Sequence, residues 1–229
     1  MRSCFSGAAF SMASPVETQQ AFQEGHVHAF AWFDGVFGEV RYDNLTSAVK
    51  QVLKGRRRVE SDRFVALRSR YLYDSVFTTP GIAGAHEKGG VEGEVGRLRR
   101  NHLVPVPAVG SIAQLNRLLL DACEQDLSRR IAGRPLTVAE QLAIERPALR
   151  ALPAEPLDAT ETASVRVDSK ALVTVRQNRY AVPVALAGLR AGAAVGAREI
   201  IISPPRPRGG APRAAARPLC HDLALTYAA

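Results

Sequence analysis

This sequence predicts an α/β region, followed by helices and then a small antiparallel sheet or barrel. Three observations carry that expectation. Between Cys4 and Asn44, extended segments and one long amphipathic stretch alternate in the order strand, strand, helix, strand. From Ser111 onward, apolar residues recur at helical spacing. From Ser164 to Gly188 they alternate with polar residues at period two, and one more strand is expected before Pro204.

Taken in order, "CFSGAAFSMA" (Cys4 to Ala13) reads as two extended segments around Gly7, and as strands rather than as a leader. Ser14 as N-cap, Pro15 at the first helical position and Glu17 after them predict a helix from Ser14 to Phe33. Val36, Val40 and Tyr42 predict a short buried strand ending at Asp43-Asn44. "LTSAVKQVLKGRRRVE" reads as a short helix or an extended arm carrying Lys54, Arg56, Arg57 and Arg58. An aromatic-rich helix follows, then a strand around Ser75 to Thr78. A loop runs through Gly90, overlapping a helix expected from about Gly89 to His102.

Ser111 caps a further helix with Leu115, Leu118, Leu119, Ala122 and Leu127 on its apolar face. Gly133 and Pro135 break it, Thr137 starts another, and Pro147 interrupts that one. "PAEPLDATET" has the composition of a linker. Strands are expected through Val165–Val167, Leu172–Thr174 and Tyr180–Val184, with turns at Asp168-Ser169 and Gln177-Asn178, and "AAVGAREIIIS" adds another. The residues after Ser203, rich in Pro, Arg, Gly and Ala, predict disorder. The expected divisions are 1–105, 106–158, 159–203 and 204–229.

The 229 residues carry a formal net charge of +8 and a pI near 9.9, a balance that suits a polyanion and most often nucleic acid. Cys4, Cys123 and Cys220 stand apart, with no C-x-x-C, which fits a reducing, cytoplasmic setting rather than a disulfide scaffold. No apolar run reaches the roughly 18 residues of a membrane span. His26 and His28 lie two apart rather than at the i, i+4 spacing of helical metal ligands, so they read as structural or exposed. Cys123 reads as core.

The chemistry centres on two carboxylates. Asp43 ends a strand of the α/β unit, and Glu92 follows Gly89-Gly90 near the expected start of a helix. On that helix Val91, Val95 and Leu98 share the core face, and Glu92, Gly96 and Arg99 share the stripe beside it. A helix N-terminus favours an ionised carboxylate. A pair of ionised carboxylates can hold Mg²⁺, which takes oxygen ligands and keeps substrate phosphates in its shell. The plainer reading stays open: most Asp-Asn pairs are turns, and most helical Glu residues are solvated.

Four blocks bear on that choice: "WFDGVFGEVRYDNLTSAVKQVL", "RFVALRSRYLYDSVFTTPG", "HEKGGVEGEVGRLRRNHLVPVP" and "VDSKALVTVRQNRYAVPVALAGLR". In this order they resemble the IstA-type insertion-sequence transposases of the retroviral-integrase-like DDE superfamily, over about Cys4 to Ile202. The resemblance implies a ribonuclease H-like catalytic core, a helical linker and a small β-barrel. It implies DNA cleavage and strand transfer with Mg²⁺ (Mn²⁺ as substitute), transposon ends and target DNA as substrates, an ATPase helper as partner, and a homo-oligomer in the bacterial cytoplasm. Asp43, in "YDN", matches the second catalytic Asp, and Glu92, in "GGVE", the catalytic Glu; Glu87 ranks below it. Expected DNA contacts are Arg56, Arg57, Arg58, Lys88, Arg97, Arg99, Arg100, Arg176 and Arg179, with His86 nearby.

The resemblance also has gaps. The family's first catalytic Asp lies on a strand before "CFSGAAF", and here no Asp precedes Asp34. The family's helix-turn-helix region is missing, and the residues from Pro204 do not match. The expectation is a catalytically inactive transposase fragment with an aberrant tail. The alternative is a non-catalytic remnant that binds DNA or an intact transposase.

Overall fold

The computed structural model describes residues 1–42, 49–52, 58–78, 85–204 and 219–222, with the side chains at 49–52, 58, 85–92 and 219–222 outside that description. It forms two compact units. One comprises Met1–Ser14 and Phe22–Leu157, the other Pro15–Ala21 and Asp158–Ala229.

The first unit opens on a tight hairpin. Arg2 bridges Ala9, Ser3 N–H donates to the Ala8 carbonyl at 2.8 Å, and Gly7 adopts φ 76°. The positive φ favours glycine there, and a Cβ would also have to push the end of the Ile131 side chain aside. Helix α1 spans Gln19–Phe33 and starts later than Ser14, because Thr18 Oγ1, not Ser14, accepts the Ala21 N–H at 3.2 Å. Strand β1 (Glu39–Tyr42) pairs in parallel with β4 (Asp74–Phe77). Between them lie β2 (Val49–Val52) and β3 (Arg58–Glu60), an antiparallel pair, so the extended reading of this arm holds and the helical one does not. Helix α2 (Asp62–Tyr71) follows, capped by Ser61 Oγ accepting the Phe64 N–H.

Phe30, Val36, Tyr42, Phe64, Leu67, Tyr71, Tyr73 and Phe77 form an aromatic core beneath the parallel pair. A second cluster joins the N-terminal hairpin and α1 to the helix that begins at Val138: Ala8, Phe10, Ala29, Phe33, Val138 and Leu142. Helix α4 (Ile112–Gln125) is capped by Ser111, and α5 (Val138–Glu145) by a Thr137/Glu140 capping box, as the sequence predicts. A bridge between Val36 and Arg150 ties the chain after α5 to the chain before β1. It needs Gly35, where a Cβ would lie 2.6 Å from Leu149 Cβ.

The helix around Glu92 differs from expectation. Helix α3 spans Ala85–His102, so His86, Glu87, Lys88 and both glycines of "GGVE" are helical. Glu92 lies well past the first turn, where the helix dipole no longer favours a carboxylate. Val95, expected in the core, is 42% exposed; the side of α3 that packs inward carries Glu94 and Arg97 instead.

In the second unit, β5 (Glu161–Arg166), β8 (Arg190–Val195), β9 (Glu199–Ser203) and β10 (Leu219–Asp222) form an antiparallel sheet in the order β10-β9-β8-β5. The strands β6 (Leu172–Val175) and β7 (Asn178–Ala181) pair separately, and this pair shares with the four-stranded sheet one core of Val167, Val173, Val175, Tyr180, Ala193, Ile200 and Ile202. Among the described residues no sheet closes into a barrel. Period-two alternation gives each strand one buried face, which two packed sheets satisfy as well as a barrel does. The turns fall one residue from prediction. Asp168 Oδ1 accepts from Lys170 and Leu172 N–H at 2.9 Å, and the β6–β7 hairpin turns on Arg176-Gln177 with Arg176 at φ 49°. Part of the stretch expected to be disordered, Leu219–Asp222, returns as β10 beside β9. Four residues without periodicity are too few to announce a strand.

Candidate functional site

The end of the parallel pair is built from its aromatic core. Tyr42, the last residue of β1, accepts the Thr78 N–H on its carbonyl at 2.9 Å, which aligns the carboxyl ends of β1 and β4. Its hydroxyl lies 2.9 Å from His26 Nε2 and 2.8 Å from the Tyr73 hydroxyl. His26 Nδ1 is 2.8 Å from the Phe22 carbonyl. A carbonyl only accepts, so Nδ1 carries the proton and Nε2 accepts from Tyr42. Burial drives the His26 pKa down to about 4, against the opposing pull of the Phe22 carbonyl, so the ring is neutral near pH 7. Burial likewise pushes the Tyr42 and Tyr73 hydroxyls up. This chain of neutral polar groups holds the strand end and supplies no charge to it. Beside it Glu60 accepts from Arg68 Nη2 at 2.9 Å and from Ser75 Oγ at 2.7 Å.

Asp43 follows Tyr42 directly and lies outside the described residues, as do Arg56 and Arg57. Arg58 opens β3, and Glu92, Glu87 and Lys88 lie within α3, their side chains outside the description. Among the described residues, no group of three or more His, Cys, Asp or Glu is placed to hold a metal ion.

Arg97 belongs to an ion network. Its Nη1 donates to Asp126 Oδ1 at 2.9 Å and its Nε to Glu94 Oε1 at 3.0 Å, while Nη2 contacts both carboxylates. Arg2 and Arg129 reach Glu94 Oε2 at 3.6 and 3.7 Å, and His102 Nε2 lies 3.4 Å from Asp126 Oδ1. The Asp126 hydrogen bond, helped by Glu94, raises the Arg97 pKa above its already high value. Burial opposes ionisation of Asp126, but Arg97 and then His102 outweigh it and hold its carboxyl below the usual value. The network fastens α3 to the N-terminal hairpin and to the chain after α4. The i, i+3 spacing of Glu94 and Arg97 was open to sequence reading; Asp126 gave no such signal.

The remaining arginines are more exposed. Arg99 and Arg100 lie in the last turn of α3, where cations also suit the helix dipole. On the β6–β7 hairpin, Arg176 faces Glu161 at 3.8 Å and Arg179 faces Asp168 at 2.8 Å. His26 is buried and His28 exposed, and Cys123 is core. The sequence did not reveal the Tyr42–His26–Tyr73 chain, although the spacing of Phe22, His26 and Phe30 places His26 on the core face of α1. No helix among the described residues is long and apolar enough to cross a membrane.

Residues 152–203 match the family model described as Mu transposase, C-terminal domain, a range that takes in β5 to β9. Several curated proteins are similar over more of the chain. A transposase of Aminobacter aminovorans is 34% identical over 185 residues, covering 80% of this chain and 36% of that protein. The transposase for insertion sequences IS1326/IS1353 of Pseudomonas aeruginosa is 37% identical over 165 residues, 72% of this chain and 32% of its own length. A putative transposase of Sinorhizobium fredii (strain NBRC 101917 / NGR234) is 30% identical over 188 residues, 80% of this chain and 35% of that protein. Over most of its length the chain is therefore similar to transposases, one of them named for insertion sequences, and it spans about a third of the length of the curated relatives it matches.

Proposed function

We propose that this chain is part of an IstA-type insertion-sequence transposase, built on a ribonuclease H-like core that cuts and joins DNA ends. The observation that carries the reading is the similarity to transposases, across 80% of the chain for that of Aminobacter aminovorans and across 72% for the one named for insertion sequences IS1326/IS1353. The fold supports it. Asp43 directly follows the carboxyl end of β1 in a parallel pair, the edge at which open α/β sheets bind ligands. On this reading Asp43 and Glu92 hold Mg²⁺, for which carboxylate oxygens are suitable donors. Held there, Mg²⁺ would supply the activation of a hydroxyl or water and the stabilisation of the leaving oxygen of the phosphodiester. The residues described here do the positioning: the Thr78–Tyr42 backbone bond and the Tyr42–His26–Tyr73 chain fix the strand that presents Asp43.

These residues supply two of the family's three carboxylates, since no Asp precedes Asp34. The 229-residue chain alone is therefore expected not to nick or join DNA. Incubation of the purified chain with family-type terminal repeats and Mg²⁺ or Mn²⁺ tests this. The expected result is no product. Metal-dependent product that disappears in Glu92→Gln would overturn the inactivity and establish the chemistry at once. In the complete transposase, the partners on this reading are transposon ends, target DNA, an ATPase helper and further copies of the transposase.

A further inference from the structure

We propose that the outer face of the β5–β8 pair is a phosphate-binding surface for duplex DNA, with Arg166 and Arg190 as its anion clamp. The DNA assignment rests on the transposase reading; the anion site rests on strand register alone.

Arg166 and Arg190 are direct cross-strand partners in the antiparallel β5–β8 ladder. Such partners have Cβ atoms about 4.5–5.5 Å apart, and like charges placed so are destabilising. Alternation fixes the face they occupy. Val165 packs against the core, and Ala191, Ala193 and Val195 are buried, so Ser164, Arg166, Arg190, Gly192 and Ala194 point the other way. Both arginines are exposed. Among the described residues neither is paired with a carboxylate; the one polar contact is a weak donation from Arg190 Nη1 to Ser164 Oγ at 3.4 Å. This distinguishes them from Arg176 and Arg179, which each face a carboxylate.

The surroundings favour a backbone-sized anion. Two adjacent guanidinium forks can donate together to phosphate oxygens, which removes their mutual repulsion. Gly192, next to Arg190 on this face, keeps the surface low, since a Cβ there would lie 2.8 Å from Ser203 Oγ. Glu199, an acidic residue exposed on the sheet, is at the far end of the ladder, past the Val195–Ile200 pairing. The sheet thus holds two cations at one end that have no carboxylate partner among the described residues.

The test is a salt series of anisotropy titrations with a short labelled DNA duplex of arbitrary sequence and the full chain. Each lost phosphate contact lowers the slope of log K against log salt by about 0.9, so Arg166→Ala/Arg190→Ala should reduce it by about 1.8 and weaken binding at least ~10-fold at 0.1 M salt. Arg166→Lys/Arg190→Lys, which keeps both charges, should retain most of the slope. Arg176→Ala/Arg179→Ala should change it less than the Arg166/Arg190 double substitution. A melting curve at low salt should show the alanine variant no less stable than the parent, because a repulsion has been removed. Wild-type binding with an unchanged slope in the alanine variant would overturn this site and leave the transposase reading standing. No binding of duplex by the parent at low salt would overturn the DNA assignment itself. Capture instead by vesicles of phosphatidylcholine and phosphatidylserine, lost in the same variant, would reassign the face to anionic lipid.

Discussion

The arginines of α3 and those of the β5–β8 ladder have opposite fates. Arg97 lies with its guanidinium between Glu94 and Asp126, on the inward side of a helix whose expected core residue Val95 is exposed. Arg166 and Arg190 face each other across two strands, in water. The sequence shows the same thing in both places, basic residues inside an element, and the expected DNA contacts include the α3 arginines near Glu92 but neither Arg166 nor Arg190. What separates them is what packs against each face. Helix α3 meets the N-terminal hairpin and the chain after α4, which bring Arg2, Asp126 and Arg129 to its own Glu94 and Arg97; the outer face of the β5–β8 ladder keeps its two arginines without carboxylate partners among the described residues. Net charge therefore indicates a polyanion partner without locating the surface that meets it.

The sharpest way to break this comparison is to remove Arg97. Arg97→Ala leaves Glu94 and Asp126 half-buried and short of their main partner. Deleting one member of a fully buried pair costs 3–5 kcal/mol; with some solvent reaching this one, a loss of roughly 2–3 kcal/mol is expected in urea denaturation. If Arg97 were a surface residue, the loss would match that of Arg99→Ala or Arg100→Ala on the same helix, expected within about 0.5 kcal/mol of zero. Equal losses in all three variants would dissolve the distinction.

A smaller effect sharpens it. The Asp126 carboxyl titrates below its ordinary value of 3.8 in the folded chain. As pH falls, the unfolded chain takes up that proton first, so the stability contributed by Asp126 is present above the unfolded value and disappears as pH drops through the folded one. Urea midpoints measured between about pH 5 and pH 3 should fall less in Asp126→Asn than in the parent, the variant having lost that contribution already. Parallel pH profiles would mean that Asp126 titrates alike in both states.

The legible parts of the fold were those coded by neighbours in sequence. Ser111 and the Thr137/Glu140 box announced α4 and α5, and alternation announced β5 to β7, whereas "AAVGAREIIIS", read as one strand, is divided between β8 and β9. The parts that were misread depend on distant partners. Thr18 rather than Ser14 caps α1, a choice between two good caps that local rules do not make. The glycines before Glu92 looked like a loop, because glycine disfavours helix by about 1 kcal/mol, yet α3 runs through them. Ser3 is bound to Glu145 at 2.6 Å from the far end of the same unit, a contact no window along the chain contains. At the candidate site, Asp43 and Glu92 were named from the motifs that carry the family resemblance. The buried chain from Tyr42 through His26 was not, because two tyrosines and a histidine become a polar network only once three elements converge.

The transposase reading turns on whether Asp43 and Glu92 serve one metal ion, and a Mn²⁺ titration followed by electron paramagnetic resonance tests it most directly. The four chains of a double-mutant cycle are compared: parent, Asp43→Asn, Glu92→Gln and the double variant. If both carboxylates hold the same ion, each single substitution weakens Mn²⁺ binding by about tenfold or more, and the double variant is little worse than either, because the site is already lost. Losses that simply add, or single variants that bind as the parent does, would mean that the two residues do not share an ion and that the catalytic assignment is wrong.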